Sequence, residues 1–398
     1  MKTHKFRLYP NRKVEQKLLD TLDLCRQTYN TLLGELNAQS EIDRSQIQGI
    51  IPDMKICDSR FERLYSKTMQ YECYRLFSNL SALAQTKKQG RKVGSLRFKG
   101  KGWFKTFTYN QSGFKLIKTG KRCQTLQLSK IGSVPIRCHR PITGEIKQVT
   151  IKHEQSGKWF ASIAEETEKA EHIQTIKSVV GIDLGLIDIV YDSDNHKIEN
   201  PRILARHKER LTFLNKKFSK KSKGSNNKNK WRIRLARQYE LIANVRDDFL
   251  HKTSRYYVDN YDIIGFEDMN ISNMTKGIFS KSILDASWGK LRQYMTYKAE
   301  SAGKLCVLVD FRGTTQRCSN CHKTVKKEIW QRTHQCSFCG LIVPRDYNSA
   351  LEIRNLAIKE IRQELPEVTL VEMERLQPKW GQCPSVNQEA TTSKCAAF

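Results

Sequence analysis

Apolar segments that stop abruptly at a carboxylate recur in the second half of this chain. Residues 178–185, SVVGIDLG, have the apolar character of a buried strand that ends at Asp183. Residues 261–268, YDIIGFED, form a second such segment that ends at Glu267. Three further strand-type runs are present, and amphipathic segments separate the later ones: LIDIVYDSD, HKIENP and KLCVLVDF. From residue 178 onward, the pattern predicts the element order β-β-β-α-β-α-β-α.

This is the element order of an RNase H-like domain, in which the first and fourth strands are neighbours. Asp183 and Glu267 are therefore expected at one edge of the sheet. Asp346, near the start of the last predicted helix, can lean toward that edge. Three carboxylates at this distance repel one another unless cations lie between them. Oxygen ligands favour Mg²⁺ or Mn²⁺, and two such ions about 4 Å apart can promote in-line attack on a phosphodiester bond.

We therefore predict a metal-dependent enzyme that cuts nucleic acid, with Asp183, Glu267 and Asp346 as catalytic acids. A single acid at a strand end is more often a cap or turn residue, and this is the alternative. The motifs GIDLG, GFED and RDYNSA in one fold order argue against it for these three positions. Three other acids are interpreted as turn residues or, at most, as supports of the metal ligands: Asp188, Asp192 and Asp268.

Two CxxC pairs, separated by fourteen residues, follow the last predicted strand. Two such pairs can close four thiolates tetrahedrally around one Zn²⁺, and because no position is left open the ion would be structural. A redox role is disfavoured, since neither pair opens a helix after a strand as a thioredoxin-like motif does. We predict these zinc ligands: Cys318, Cys321, Cys336 and Cys339. The nearby His322 and His334 are interpreted as bystanders.

The charge balance indicates the class of partner. The chain carries 70 Lys and Arg against 41 Asp and Glu, a formal net charge of +29. Such a surplus opposes folding by self-repulsion unless a polyanion neutralises it, so nucleic acid is the favoured partner. An anionic membrane is the alternative, but it leaves the acid and cysteine motifs unexplained. No signal-peptide core and no apolar run of membrane-spanning length is present, so we expect a cytoplasmic protein without a membrane partner.

Much of the positive charge lies between the two strands that carry Asp183 and Glu267. Helix-type segments are expected on both sides of residues 216–230, KKFSKKSKGSNNKNK. A run of charge is usually a solvated face, but here it lies where the substrate backbone must pass. We therefore predict phosphate contacts by the following residues: Arg232, Arg234, Arg237, Arg246 and Lys252.

The first half of the chain has a different organisation. Residues 3–9 predict a strand, and apolar stripes predict helices from about 14 to 36 and from about 60 to 85, with a loop around Ile51-Pro52. Between about 95 and 166, short β-branched or aromatic runs separated by turns predict an antiparallel barrel or sandwich. We expect the opening strand to join this sheet, which makes the helices an insertion.

In this order and spacing, the motifs resemble the TnpB family of transposon-encoded proteins, also called OrfB-type, which are relatives of the compact type V CRISPR nucleases. The resemblance covers most of the chain. The segments that carry it are FRLYPN, SLRFKGKGWFKTFTY, GIDLG, NVRDDFLHK, GFEDMNISNM, SWGKLRQYMTYKAESAGKLCVLVD, TTQRCSNC, CSFCG and RDYNSALEI.

The resemblance implies a RuvC-like nuclease of a bacterial or archaeal cell. Such an enzyme uses a guide RNA from the end of its own element to cut double-stranded target DNA beside a short flanking motif. Asp183, Glu267 and Asp346 match the catalytic acids of the family, and the four cysteines match its zinc ligands. Departures are modest: His322 stands where glycine is common, and Tyr347 and Ser349 replace the more usual small or aliphatic residues.

The resemblance also gives the predicted domains their names. In the order of the chain they are a β-barrel wedge domain at 1–10 and 92–177, a helical recognition insertion at 11–91, a RuvC-like nuclease domain at 178–315 and 341–363, a zinc ribbon at 316–340 and a flexible tail at 364–398. Lys67 and Gln70 in the helical insertion are candidates for reading the flanking motif.

Two other functions fit parts of the same pattern. A nuclease-inactive relative could repress transcription by occupying DNA, but such proteins lack one or more of the acids, and all three are present here. An RNA-independent transposase or resolvase could use the same fold. The bulky recognition region and the excess of positive charge argue against it. An RNA-guided DNA endonuclease is therefore the favoured hypothesis.

Overall fold

A computed structural model describes residues 1–39, 43–118, 124–168, 175–310, 312–328 and 330–364. The chain divides into two compact units. The first comprises residues 1–168 and 209–241, and the second comprises residues 169–208 and the chain from 242 onward. The predicted flexible tail lies, from residue 365, outside the described residues. The domain boundaries given above remain a prediction.

A seven-stranded antiparallel sheet forms the centre of the first unit, in the order β2-β6-β7-β1-β5-β4-β3. Its strands are β1 (Lys2–Leu8), β2 (Thr106–Asn110), β3 (Phe114–Lys118), β4 (Gln124–Leu128), β5 (Gly132–Arg137), β6 (Glu145–His153) and β7 (Trp159–Glu166). The opening strand β1 pairs with β7 on one side and β5 on the other, as expected from the sequence. Side chains of β7 alternate between the core and the surface, because successive residues of a strand point to opposite faces.

Three helices lie between β1 and β2, where the sequence predicts two: α1 (Arg12–Ala38), α2 (Arg44–Cys57) and α3 (Ser66–Lys88). The Asn11 side chain accepts a hydrogen bond from Val14 N and so caps the start of α1. The predicted apolar stripe of α1 is buried. The predicted loop around Ile51-Pro52 is wrong, since both residues lie inside α2. The buried face of Ile47, Ile51 and Met54 holds that helix together despite the missing proline N–H.

A fully buried carboxylate lies inside this unit. Glu72 of α3 has no exposed surface, and its Oε2 lies 3.1 Å from Arg75 Nη1. The Arg75 guanidinium also donates to the backbone O of Thr106 on β2 and lies 5.0 Å from the centroid of the Phe104 ring. Burial raises the pKa of Glu72 to about 8, although the charge of Arg75 acts in the opposite direction. This pair therefore links the helical insertion to the sheet, and the folded unit favours the neutral form of the acid.

The folded pKa of Glu72 lies above its unfolded value, so folding is favoured by protonation and stability should fall as pH rises from about 4.5 to about 8. At pH 9 the Glu72→Gln variant should therefore melt at a higher temperature than the wild type, with a gain of about 5 kcal/mol at most. Near pH 4.5 the two proteins should melt alike. Thermal unfolding at both pH values checks this, with Glu35→Gln on the exposed face of α1 as control. A gain that did not depend on pH would contradict it.

The second unit contains a mixed five-stranded sheet in the order β10-β9-β8-β11-β12. Its strands are β8 (Val179–Asp183), β9 (Asp188–Asp192), β10 (Lys197–Glu199), β11 (Ile263–Glu267) and β12 (Leu305–Val309). Strands β8, β9 and β10 form an antiparallel meander, and β11 pairs in parallel with both β8 and β12. The predicted order of strands and helices is confirmed, including the adjacency of the first and fourth strands.

The remaining elements connect these strands. The helices are α4 (Ile203–Arg206), α5 (Lys208–Ser219), α6 (Asn226–Asn260), α7 (Ile271–Met274), α8 (Ser280–Ala286), α9 (Trp288–Ser301) and α10 (Arg345–Glu364). A small hairpin, β13 (Thr333–Gln335) and β14 (Ile342–Pro344), precedes α10. The basic segment 216–230 includes the end of α5, the turn at 220–225 and the start of α6, so the expected helices extend into it. The part of these helices within 209–241 belongs to the first unit.

Helix α10 lies directly on the backbone of two sheet glycines. Gly181 of β8 and Gly265 of β11 are register partners. A Cβ atom at Gly181 would lie 2.1 Å from the backbone O of Ala350, and one at Gly265 would lie 2.9 Å from Cβ of Ala357. Only glycine permits this approach, because any side chain would push the helix away from the sheet. The glycines of the GIDLG and GFED motifs therefore set the distance between α10 and the two acid-bearing strands.

Substitution of Gly181 by alanine should consequently destabilise the second unit. The added methyl group meets backbone rather than a flexible side chain, so we expect the free energy of unfolding to fall by about 1–3 kcal/mol or more. Gly289→Ala in α9 is the matched control, because its Cβ would make only an ordinary 3.6 Å contact with Ile271. Thermal unfolding should show a lower melting temperature for Gly181→Ala alone. Equal melting temperatures for the two variants would contradict the close approach.

Candidate active site and metal centre

Asp183 and Glu267 are the last residues of two neighbouring parallel strands. The register of β8 and β11 pairs Ile182 with Phe266, so the two acids follow at the next position on each strand. Neighbouring strands lie about 4.8 Å apart, and parallel strands end at the same edge of the sheet. The structure therefore brings these two predicted acids together.

The groups around Asp183 shift the pKa of its carboxyl in opposite directions. Burial raises the pKa of its carboxyl well above the ordinary value, and the charges of Glu267 and Asp346 raise it further. The Arg345 guanidinium and the Leu184 backbone N–H lower this pKa only in part. The group therefore favours its protonated form unless a cation lies close to it, which is the behaviour expected of a carboxylate metal site.

The Glu267 residue is buried, and its carboxylate accepts a hydrogen bond from a neutral side chain. Burial raises the pKa of its carboxyl, while a hydrogen bond donated by Thr314 Oγ1 to Oε1 lowers it. Thr314 lies in the connection between β12 and the first CxxC pair. Sequence reasoning missed this residue, because a threonine in a loop carries no signature of a supporting role. Its hydroxyl fixes the orientation of the Glu267 carboxylate.

Asp346 lies in the first turn of α10, where a negative charge is favoured by the helix dipole. Its side chain is 40 % exposed, and its Oδ1 accepts a hydrogen bond of 3.0 Å from Arg345 Nε. Arg332 Nη1 lies 4.0 Å from Oδ2. Much of the Asp346 side chain is therefore open to solvent, and two guanidinium groups lie beside it.

The three carboxylates face one region but do not form a closed ligand set. Within the described part of the chain, the cysteine cluster is the only group of three or more ligand side chains close enough to share one ion. Strand ends fix Asp183 and Glu267, while Asp346 is held by arginines. The binding of divalent cations by these three acids therefore stays a prediction.

The four cysteine sulfurs form a compact cluster, and all Sγ atoms lie within 4.8 Å of one another. The Sγ atoms of Cys318 and Cys339 are 3.6 Å apart, and so are those of Cys321 and Cys336. Tetrahedral zinc with Zn–S bonds of about 2.3 Å requires sulfur separations of about 3.8 Å. The geometry therefore fits one Zn²⁺ and leaves no open position for a substrate.

The thiols of this cluster cannot all ionise without a cation. Burial raises the pKa of Cys318 to about 12. At Cys336, burial also acts to raise the pKa, but backbone N–H donors of Cys339 and Phe338 outweigh it and lower the pKa to about 6. Such amide donors stabilise thiolates in metal-binding knuckles. As expected from the sequence, the histidines have other partners: His322 Nδ1 lies 3.2 Å from Glu352 Oε2, and His334 contacts Lys327.

The first CxxC pair is attached to one face of α10. The buried Asn348 accepts a hydrogen bond from Ser319 N at 3.0 Å and donates to the backbone O of Arg317 at 2.7 Å. The buried Glu352 forms an ion pair of 3.1 Å with Arg317. Asn355, one turn further on, donates to the backbone O of Ser319. The helix that carries Asp346 is therefore also the support of the cysteine cluster.

Other acids of the unit have structural partners. Asp192 is fully buried, and its carboxylate accepts hydrogen bonds from Asp194 N, His196 N and Tyr257 OH. This agrees with its interpretation as a turn residue. Asp268 lies 3.4 Å from Arg292, and Asp188 begins β9.

The predicted phosphate contacts differ in their surroundings. Arg232, Arg234 and Arg237 of α6 are exposed. Arg246 forms an ion pair of 2.6 Å with Asp285, and Lys252 forms one of 2.7 Å with Asp248 while 77 % of its side chain stays exposed. Arg246 therefore also has a structural role. Phosphate contact by these five residues stays a prediction.

Comparison with known proteins agrees with this arrangement. Residues 162–277 match the OrfB_IS605 family model, described as “Probable transposase”, residues 1–41 match a helix-turn-helix model of the same family, and residues 288–353 match the Cas12f1-like TNB domain. Two segments of the chain thus match models of the OrfB (TnpB) family, and a third matches a domain of the Cas12f1-like proteins. The TNB match spans α9, β12, all four cysteines and the start of α10.

Two relatives and one solved structure illustrate the extent of the likeness. “Putative RNA-guided DNA endonuclease InsQ” of Escherichia coli K12 is 28% identical over 89% of this chain and 91% of its own length. “Putative RNA-guided DNA endonuclease” of Streptomyces pristinaespiralis is 31% identical over 62% of this chain and 60% of its own. The cryo-EM structure of a Cas12f1-sgRNA-target DNA complex matches with a TM-score of 0.55 and 14% identity, over 87% of this chain and 83% of that one. This last likeness shows a shared fold.

Among the helices that the structure describes, none combines the length and the apolarity that a bilayer crossing requires.

Removal of one thiol from the TNB segment should abolish stable zinc binding. We expect about one zinc per chain in the purified wild type and far less in Cys339→Ser, because three thiolates leave the tetrahedral site incomplete. Cys57→Ser is the control, since Cys57 is an exposed cysteine outside the cluster. Elemental analysis of the purified proteins gives the ratio. Equal zinc in both variants would show that the cluster does not hold the ion.

Proposed function

We propose that this protein is an RNA-guided DNA endonuclease of a transposable element, which hydrolyses target DNA with divalent cations held by Asp183, Glu267 and Asp346. The observation that carries the proposal is the placement of Asp183 and Glu267 at the ends of adjacent parallel strands, with Asp346 close enough to raise the pKa of Asp183. Such carboxylates require cations, and hard oxygen ligands select Mg²⁺ or Mn²⁺.

The two acids of the sheet and the acid of α10 would have different parts in the reaction. Bound divalent ions would supply the positive charge that activates water and stabilises the leaving oxygen. Asp183 and Glu267, fixed by the sheet, give the site its rigid side, and Thr314 holds the Glu267 carboxylate in one orientation. Asp346 is the exposed side, so the scissile phosphate is expected to enter next to it. Arg345 and Arg332 lie where a phosphate approaching Asp346 would meet them.

The proposed partners are a guide RNA from the end of the element and double-stranded target DNA beside a short flanking motif. The net charge of +29 supports a large polyanionic partner. Relatives carry the name RNA-guided DNA endonuclease, and the matching Cas12f1 structure contains sgRNA and target DNA. In such complexes base pairing supplies the specificity, while the protein recognises the shape and backbone of the RNA–DNA duplex.

The proposal extends to the domains. The unit with the mixed sheet corresponds to the RuvC-like nuclease domain, and residues 316–340 correspond to its zinc ribbon, with Zn²⁺ as a structural ion. The seven-stranded sheet corresponds to the wedge domain, and α1, α2 and α3 correspond to the recognition insertion. Lys67 of α3 contacts Gln111, which follows β2, so the insertion and the sheet together present polar side chains for reading the flanking motif.

Loss of one catalytic acid should abolish cutting but not binding. We expect Asp183→Asn, assembled with guide RNA from the element's end, to cut matched DNA in Mg²⁺ on the order of 10³-fold or more slowly than the wild type. Asp188→Asn, in the same hairpin, is the matched control and should cut normally. Cleavage on gels and DNA binding by mobility shift separate the two activities.

Two results would contradict the proposal. If Asp183→Asn cut DNA normally, the assignment of the active site would be wrong. If the wild type cut branched or transposon-end DNA without any RNA, the protein would instead be an RNA-independent resolvase or transposase.

A further inference from the structure

Two aromatic rings and three cations form a surface cluster on the hairpin of α5 and α6, within residues 209–241. Phe213 of α5 lies edge to face with Trp231 of α6, with the ring centroids 6.3 Å apart and an interplanar angle of 69°. Phe213 is 45 % exposed although it is a large apolar side chain. One face of an aromatic pair is therefore presented to solvent at a fixed angle.

The cations are arranged around these rings. Arg210 and Lys217 each lie 5.6 Å from the centroid of Phe213, and Arg234 lies 4.7 Å from the centroid of Trp231. Their spacings of three and four residues place each cation on the same helix face as its ring. We name these five side chains the aromatic ledge: Arg210, Phe213, Lys217, Trp231 and Arg234.

The ledge lies in a region with almost no negative charge. From residue 208 to 237 the sequence has twelve Lys and Arg, and Glu209 is the only acid. In the part of the chain that the structure describes, none of the basic residues from Arg210 to Arg237 takes part in an ion pair. Cations so placed repel one another, and a polyanion at this surface would relieve that repulsion.

We propose that the aromatic ledge stacks one unpaired base of the guide RNA, while its cations bind the adjoining phosphates. Aromatic faces bind bases of any sequence, and arginine adds cation–π and phosphate contacts. A folded RNA presents such bases in its loops and bulges. The target strand is paired with the guide, so it does not offer them. This inference rests on the proposed RNA-guided function.

The assignment differs from phosphate binding alone in one measurable respect. Loss of a stacking ring lowers affinity without changing the number of phosphates neutralised, so the slope of log K against log salt concentration stays the same. Loss of a cation reduces that slope, by about 0.7 for a single strand. The two kinds of contact are thus separable in one titration.

The test measures binding of the RNA recovered from the purified wild-type complex, by filter binding over a series of salt concentrations. Phe213→Leu keeps the apolar bulk but removes the aromatic face, and should bind about tenfold more weakly with an unchanged slope. Lys217→Gln should reduce the slope. Tyr239→Leu is the matched control, since Tyr239 is equally exposed on α6 and lies outside the ledge, and it should bind like the wild type.

Trp231→Leu is the second ring variant, and it tests the ledge if Phe213→Leu proves unstable.

Ultraviolet crosslinking of the wild-type complex, followed by mass spectrometry, should give an RNA adduct at Phe213 or Trp231. Unchanged affinity in both ring variants, an equal loss in Tyr239→Leu, or adducts with DNA rather than RNA would overturn the ledge. If the wild type bound no RNA, both the ledge and the proposed function would be wrong. If the wild type cut DNA with its guide and the ring variants bound RNA normally, only the proposed role of the ledge would be wrong.

Discussion

The close contact between α10 and the sheet is the constraint on which the candidate active site depends. Two register-paired glycines let the helix backbone lie against β8 and β11, the strands that end in Asp183 and Glu267. The third acid is in the first turn of that same helix. A bulkier residue at either glycine would move Asp346 away from the other two acids. Packing thus explains the glycines of these motifs, and the proposed catalysis explains their acids.

Electrostatics makes the same region incomplete without ions. The carboxylates raise the pKa of Asp183 together, in a chain whose overall charge is +29. Positive charge elsewhere in the protein does not remove this local repulsion, because burial and distance separate the surface lysines from the strand ends. The proposed enzyme would therefore combine a surface that attracts a polyanion with a small acidic site that repels phosphates until cations are bound. This division suits an enzyme that must hold nucleic acid tightly and cut it at one position.

Much of the fold and of the candidate site could be predicted from the sequence, because the informative patterns involve residues that are close together in the chain. Strand-ending acids, the order of strands and the spacing of the two CxxC pairs each follow from a few neighbouring residues. What could not be predicted depends on contacts distant in sequence. Thr314 supports Glu267 across 47 positions, and the apolar face of α2 outweighs Pro52 through packing on its neighbours. Nothing in the sequence distinguished Arg246, held by Asp285, from the exposed arginines of α6. The close approach at Gly181 and Gly265 was likewise visible only once α10 was placed.

The attachment of the cysteine cluster to α10 has a consequence for the cell. Asn348 and Glu352 bind the first cysteine knuckle on the same helix that begins with Arg345 and Asp346. In the proposed enzyme, the zinc ligands and the third acid would therefore share one rigid support. Loss of zinc would leave the start of that helix, and Asp346 with it, poorly anchored. On this proposal, activity would follow the zinc supply of the host as well as the presence of a matching target.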